Sequence, residues 1–443
     1  MNYTIYPKPL SGVINAPSSK SIMHRVLICA SFATGTSIIE NPLYCYDTIT
    51  TMSALEEIGV TFKKADDKLL VIPPKTFTAP SNAIECGNSG STIRFLMTLY
   101  ACLFKSVVFK GSERLVERIE TEDITEIPFE YFISKNSITI SNVRQINNLS
   151  LHTKNTSQLT SGILLLIGLV KQKGKLHIIS NENNLDPYIE LTLDVMANFG
   201  VKYEITHHEN FYTISINNHL NDIQHEFVKS YLKPCHYYIE GDYSSASFPL
   251  ALGLTGDNVI VKNLYQTSKQ GDKAFIDIVN QMNGQFQIGI DAIRALKSDL
   301  IGTTIDLTFN PDLGPILMAL ATVAKGTTKI INFARLELKE SNRITKTIEI
   351  LSSLGAEISL IEDKEIIING KPNLKGGIVV DPQNDHRLAM MVVALTSKYL
   401  ERVTITNAEC VSKSYPNFWN DYRKLNGIVV EANQDELSGD ANE

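Results

Sequence analysis

The chain has 443 residues, 43% of them apolar and 20% charged, the balance of a folded globular protein with room for two or three domains. A net charge of −7 argues against a general nucleic-acid surface, and the apolar run 162–170 is too short to cross a membrane. Six scattered cysteines (Cys29, Cys45, Cys86, Cys102, Cys235, Cys410) form no C-x-x-C pair, and no apolar stretch follows a basic N-terminal start, so a cytoplasmic protein with reduced thiols is expected.

In chain order, two phrases recur. The first is an apolar helix, a Gly or Lys turn, a β-branched strand and often an Asn, at 28–41, 99–111, 166–180, 250–263, 320–332 and 393–407. The second is an amphipathic helix stopped by glycine and followed by a strand, at 52–63, 195–206, 278–289, 350–361 and 422–432. Gly59, Gly200, Gly284, Gly355 and Gly427 are the expected left-handed stops. A degenerate sixth copy is expected near 128–134. Gly284, Gly355 and Gly427 are spaced by nearly equal steps of about 70 residues, while extra chain around 217–235 lengthens the step before them. The pattern predicts an α/β protein of two three-unit domains joined near 230–240. A solenoid is the competing reading of any repeat, but the long period and apolar helices favour wrapped halves.

Each copy places a polar cluster before its apolar helix: SSKSIMHR (18–25), GNSGSTIR (87–94), NTSQLTSG (155–162), DYSSASFP (242–249), NPDLGP (310–315) and NDHRLAM (384–390). Capping explains the small polar residues, Ser244 and Ser245 included. It does not explain Lys20, Arg25, Arg94 and Arg387, cations at helix starts where the macrodipole disfavours them. An anion held between such cations and free backbone N–H groups would account for the placement. LELKESNRI (336–344) adds Lys339 and Arg343 at the spacing of one helix face, and CVSKSYPNFW (410–419) sets Lys413 among serines. Each of these two alone reads as a solvated polar segment; their recurrence with the other clusters favours anion binding. His207-His208 lacks a third metal ligand nearby, and no P-loop, dinucleotide fingerprint or serine elbow is present.

These stretches resemble the EPSP synthase (3-phosphoshikimate 1-carboxyvinyltransferase) family over essentially the whole chain. The carriers are SSKSIMHR, GNSGSTIR, TSQ (156–158), GDYSSA (241–246), QGD (270–272), PD (311–312), KESNR (339–343), DHR (385–387) and SKSYPNFW (412–419). The resemblance implies two domains of three βαβαββ units, 19–235 and 1–18 with 236–443, of the enolpyruvyl transferase type, with the site in the interdomain cleft. It implies transfer of the enolpyruvyl group of phosphoenolpyruvate to the 5-hydroxyl of shikimate 3-phosphate, without metal or organic cofactor. From charge and apolar run length no nucleic-acid or membrane partner is expected, and a monomer is expected. Asp312 would take the hydroxyl proton, with Glu340 and Lys20 as proton donors. Lys20, Ser21, Arg25, Thr156, Ser157, Gln158, Tyr188, Asp312, Arg335 and Lys339 would bind shikimate 3-phosphate. Lys20, Gly90, Arg118, Gln158, Arg343, His386, Arg387 and Lys413 would bind phosphoenolpyruvate, and glyphosate would occupy the space beside Gly90.

Four positions depart from the family's usual residues: Asn342 replaces an aspartate, Leu185 a serine, Ile119 and an acidic run a proline after Arg118, and Arg335 an asparagine. The related UDP-N-acetylglucosamine enolpyruvyltransferases carry a loop cysteine in the region of 111–118, which here reads GSERLVER, and favour Lys-Asn where this chain has Lys20-Ser21. An inactive anion-binding paralogue is the third reading; Asp312 and Glu340 are both retained.

Overall fold

A computed structural model describes residues 1–120, 127–142, 148–152, 156–169, 174–179, 184–216 and 232–432. The connecting segment expected around 217–235 lies largely outside the described residues, as does the acidic run from 121. The chain divides into two compact units, Ser18–Ile239 and Met1–Pro17 with Glu240–Glu443, here the N-terminal and C-terminal units. The first contains helices α1 (Lys20–Ser31), α2 (Tyr46–Glu56), α3 (Gly90–Leu103), α4 (Glu113–Glu120), α5 (Ser157–Leu169) and α6 (Pro187–Asn198). The second contains α7 (Tyr243–Thr255), α8 (Ala274–Gln281), α9 (Gly314–Thr322), α10 (Arg343–Ser353), α11 (His386–Ala394) and α12 (Phe418–Lys424).

Among the described residues the strands form six four-stranded sheets, three per unit. All six share one pattern: an edge strand pairs parallel with its neighbour, and the other two pairings are antiparallel. In the fifth sheet, Thr304–Asp306 runs parallel to Thr327–Ile331, which is antiparallel to Glu365–Asn369, itself antiparallel to Glu357–Ile361. Four strands and two helices make one βαβαββ copy. In four of the six sheets the helix after the first strand crosses over to its parallel partner, and in the other two the parallel edge strand, Gly12–Asn15 or His236–Tyr238, is remote in sequence from its partner.

The repeated Asn has a backbone reason. Asn41, Asn263, Asn332 and Asn407 follow their strands with φ of 54°, 66°, 56° and 48°, the left-handed region that Asn tolerates better than other side chains. The expected glycine stops need one correction. Gly59, Gly200 and Gly355 have positive φ, but in the fourth and sixth copies Asn283 and Asn426 take that role, one residue before Gly284 and Gly427. In the degenerate second copy, α4 precedes the strand Glu130–Ser134.

The apolar helices form the cores. α1, α3 and α5 lie within one hydrophobic cluster, and α7, α9 and α11 within another. Close approach of α3 and α5 depends on Gly162, because a Cβ there would come within 2.5 Å of the Arg94 carbonyl oxygen. This packing brings the N-termini of α3 and α5 side by side, together with the polar residues they carry.

Candidate active site

In the N-terminal unit, the three polar clusters cap and line helix starts. Ser19 Oγ accepts from the Ile22 N–H at α1, and Ser89 Oγ accepts from the Thr92 N–H at α3. Thr156 Oγ1 accepts from the Gln158 N–H at 3.2 Å, at the start of α5. Ser157, the first residue of α5, is buried. Arg25 is buried on α1 and donates to Thr192 Oγ1 at 2.7 Å, Ser161 Oγ at 3.1 Å and the carbonyls of Ser21 and Tyr188. Its guanidinium lies 5.9 Å from the Tyr188 ring centroid. Burial pushes Arg25 down to about 10, outweighing the opposing pull of Tyr188 and Asp186. Lys20 pairs at 2.7 Å with Asp47, an α2 residue that sequence reasoning missed.

Gly90 opens α3, and a Cβ there would lie 2.6 Å from Arg94 Nη1, 3.3 Å from Gln158 Oε1 and 3.5 Å from Arg118 Nη2. Three helices thus bring two guanidiniums, whose charge suits a small anion, and the acceptor oxygen of Gln158 to one bare stretch of backbone. Gln158 Nε2 is braced at 3.3 Å by Ser91 Oγ. Arg94 carried an anion-binding signal as a helix-start cation but was not assigned to either substrate.

The C-terminal unit assembles a different group. Arg343 is fully buried and donates through Nε to Asp385 Oδ2 at 2.8 Å, through Nη1 to Asp312 Oδ1 at 2.9 Å and through Nη2 to Glu340 Oε2 at 2.6 Å. Asp312 also receives Lys339 Nζ at 3.1 Å and Arg387 Nη2 at 3.3 Å. Burial pushes the Asp312 carboxyl up, but Arg387, Lys339 and Arg343 outweigh it and hold the group well below the carboxylate range. Lys339 is shifted down by burial against the pull of Asp312.

The expectation that Lys339 and Arg343 share a helix face is incorrect. Asn342 is the N-cap of α10, its Oδ1 accepting from the Thr345 N–H at 3.2 Å, so Lys339 and Glu340 precede the helix and reach Asp312 and Arg343 from a turn. The capping expectation for Ser244 and Ser245 is also corrected. Asp242 caps α7 by accepting from the Ser245 N–H at 2.7 Å, which leaves the Ser244 hydroxyl to donate to Asp272. Asp385, which caps α11 and grips Arg343, was visible in the DHR motif but had no role assigned. His386 is buried beside it, and Lys413 Nζ donates to the Asn384 carbonyl at 2.7 Å, ahead of the same helix. Arg335 Nη1 donates to the Thr308 carbonyl at 3.1 Å.

A profile of the EPSP synthase (3-phosphoshikimate 1-carboxyvinyltransferase) family matches residues 5–422. The chain belongs to that family. It is 37% identical to the 3-phosphoshikimate 1-carboxyvinyltransferase of Clostridium novyi (strain NT), over 97% of this chain and 98% of the relative. It is 35% identical to that of Clostridium kluyveri, with the same coverage. Among solved structures, an EPSP synthase from Acinetobacter baumannii matches with a TM-score of 0.74 at 22% identity, covering 97% of this chain and all of the other. The enolpyruvyl transferase NikO from Streptomyces tendae matches with a TM-score of 0.75 at 14% identity, covering 97% and 98%. These two likenesses show the enolpyruvyl transferase fold.

Two of the family departures have a visible accommodation. Asn342 keeps the cap that an aspartate would also provide. Leu185 is buried in the apolar cluster of its unit, so the position serves packing instead of offering a hydroxyl. Among the described residues, no helix is long and apolar enough to cross a membrane.

Proposed function

We propose that this chain transfers the enolpyruvyl group of phosphoenolpyruvate to the 5-hydroxyl of shikimate 3-phosphate, giving 5-enolpyruvylshikimate 3-phosphate and phosphate. Asp312 and Glu340 carry the reading: two carboxylates fixed on the buried Arg343, in a chain of the EPSP synthase family. In the addition step the 5-oxygen bonds to C2 of phosphoenolpyruvate while the enol carbon gains a proton. In the elimination step the C–O bond to phosphate breaks and the methyl group loses a proton, restoring the double bond.

Asp312 takes the hydroxyl proton. As a carboxylate surrounded by three cations it is a weak base in isolation, so it acts by orienting the hydroxyl in a hydrogen bond that strengthens as negative charge develops on oxygen. Glu340 and Lys20 supply protons to the enol carbon and the departing phosphate. Ser21, Arg25, Thr156, Ser157, Gln158, Tyr188, Arg335 and Lys339 bind shikimate 3-phosphate. Gly90, Arg118, Gln158, Arg343, His386, Arg387 and Lys413 bind phosphoenolpyruvate, Lys20 touching both substrates. Arg343 already holds three carboxylates, so an anion reaching it must displace Asp312 or Glu340. All these residues come from one chain, and the reading requires no partner subunit.

The test is phosphate release from a mixture of the two substrates. Release must depend on both, and Asp312→Asn must lower kcat by about 1,000-fold or more, within the range for removal of a positioned base together with its charge. Binding of shikimate 3-phosphate without turnover would point to an inactive paralogue. Turnover of an amino-sugar nucleotide instead would move the chain to the sister reaction.

A further inference from the structure

Two motifs, GDYSSA and QGD, have no part in the chemistry above, yet they meet in a buried polar network behind Asp312. Gln270 Oε1 accepts from the Tyr243 N–H at 3.2 Å, and Gln270 Nε2 donates to the Gly241 carbonyl at 2.8 Å. The next turn, Gly271–Lys273, carries Asp272, which is 1% exposed. One oxygen of Asp272 accepts the Ser244 hydroxyl from α7; the other accepts Asn310 Nδ2 at 3.3 Å. Asn310 begins the short turn Pro311–Leu313 that bears Asp312, and its carbonyl accepts the Leu313 N–H at 3.0 Å.

We infer that Asp272 is a positioning residue, which fixes the Asp312 turn by holding Asn310 on one oxygen while Ser244 anchors the other to α7. A side-chain hydrogen bond into the residue two before Asp312 restricts the turn where an error of an ångström would misdirect the base. Burial and the charge of Asp312 raise the Asp272 pKa, with Arg387, Ser244 and Asn310 opposing, so the two carboxyls sense each other. The inference rests on the assignment of Asp312 as the group that engages the 5-hydroxyl.

The experiment measures kcat, both KM values and melting temperature for Asp272→Ala, Asp272→Asn and Asn310→Ala, each also combined with Asp312→Asn. Asp272→Ala and Asn310→Ala are expected to lower kcat by about 10- to 100-fold with each KM within about twofold. Asp272→Asn should recover most of that loss: its oxygen can still accept from Asn310 and its amide can donate to a reversed Ser244 hydroxyl. On the residual rate of Asp312→Asn, neither alanine change should subtract further, because a residue acting through Asp312 has nothing left to position. Unchanged kcat in a folded Asn310→Ala enzyme would overturn the inference. So would losses that multiply with Asp312→Asn, or an Asp272→Asn enzyme as slow as Asp272→Ala. If Asp312→Asn itself keeps the parental kcat, the base assignment fails first, whatever Asp272 does.

Discussion

Arg25 and Arg343 are both buried arginines at their unit's polar cluster, and they are satisfied in opposite ways. Arg343 is gripped by Asp312, Glu340 and Asp385, whose charges and hydrogen bonds outweigh burial and raise its pKa. Arg25 has two hydroxyls and two carbonyls as acceptors, and burial lowers its pKa. A guanidinium ringed by carboxylates is neutralised and serves as scaffold for them. One whose hydrogen bonds go to neutral oxygens keeps more of its positive field for an incoming anion. In the proposed reading Arg25 therefore offers its charge to a phosphate directly, whereas Arg343 meets phosphoenolpyruvate only after Asp312 or Glu340 gives way.

Removing each arginine should break this contrast most clearly. Arg343→Met leaves three carboxylates without their common counter-charge and should cost about 3–5 kcal/mol, read from urea unfolding. Arg25→Met should leave the unfolding midpoint near the parental value while weakening shikimate 3-phosphate by about 100-fold in calorimetry, the range for truncating a buried charged contact to an anion. If the two variants exchanged phenotypes, the contrast between a guanidinium neutralised by carboxylates and one open to an anion would be wrong.

Smaller changes sharpen the comparison within the N-terminal cluster. The parent should be inhibited by glyphosate competing with phosphoenolpyruvate; an insensitive parent would displace Gly90 from the site. Gly90→Ala pushes the Arg94 head from its place and should raise KM for phosphoenolpyruvate about tenfold, weaken glyphosate, and leave shikimate 3-phosphate binding unchanged.

The smallest effect concerns His24, whose Nδ1 bonds Thr51 Oγ1 at 2.8 Å in a hydroxyl chain through Thr92 to Ser89. Burial, then Lys20 and Arg25, hold His24 well below its ordinary pKa, so the folded chain keeps it neutral while the unfolded chain protonates it. Stability is therefore full above pH 6.5 and falls as pH drops below it, by about 1 kcal/mol near pH 6. His24→Asn should flatten that slope in melting curves taken between pH 7.5 and 5.5.

Much of the candidate site was legible because the residues proposed for it sit at fixed points of a repeated phrase. Lys20, Gly90 and Gln158 stand in the first turn of the apolar helices of successive copies, and a helix start declares itself through caps and apolar periodicity. Asp47, Asp272 and Asp385 were harder to read. Each matters through a partner remote in sequence (Lys20, Asn310 and Arg343), and a lone aspartate near a helix start reads as a cap. Lys339 misled for a related reason: i, i+4 spacing implies a shared face only if the helix already includes both residues, and the Asn342 cap starts it later.

The six copies, the α/β class, most of the turn residues and the polar helix starts could be read from the sequence alone, because all of them follow from local periodicity and backbone preference. Strand partnership was decided by the tertiary structure. Gly12–Asn15 precedes α1, yet pairs with Val259–Lys262 in the C-terminal unit. His236–Tyr238 precedes α7, yet pairs with Ile38–Glu40 in the N-terminal unit. Tyr3–Ile5 completes the sheet of Val403–Ile405 and Val429–Glu431 near the other end of the chain. Short segments such as GVIN and HYY offer the same backbone donors and acceptors to any open sheet edge. Which edge they reach depends on where the packed helices leave one unpaired.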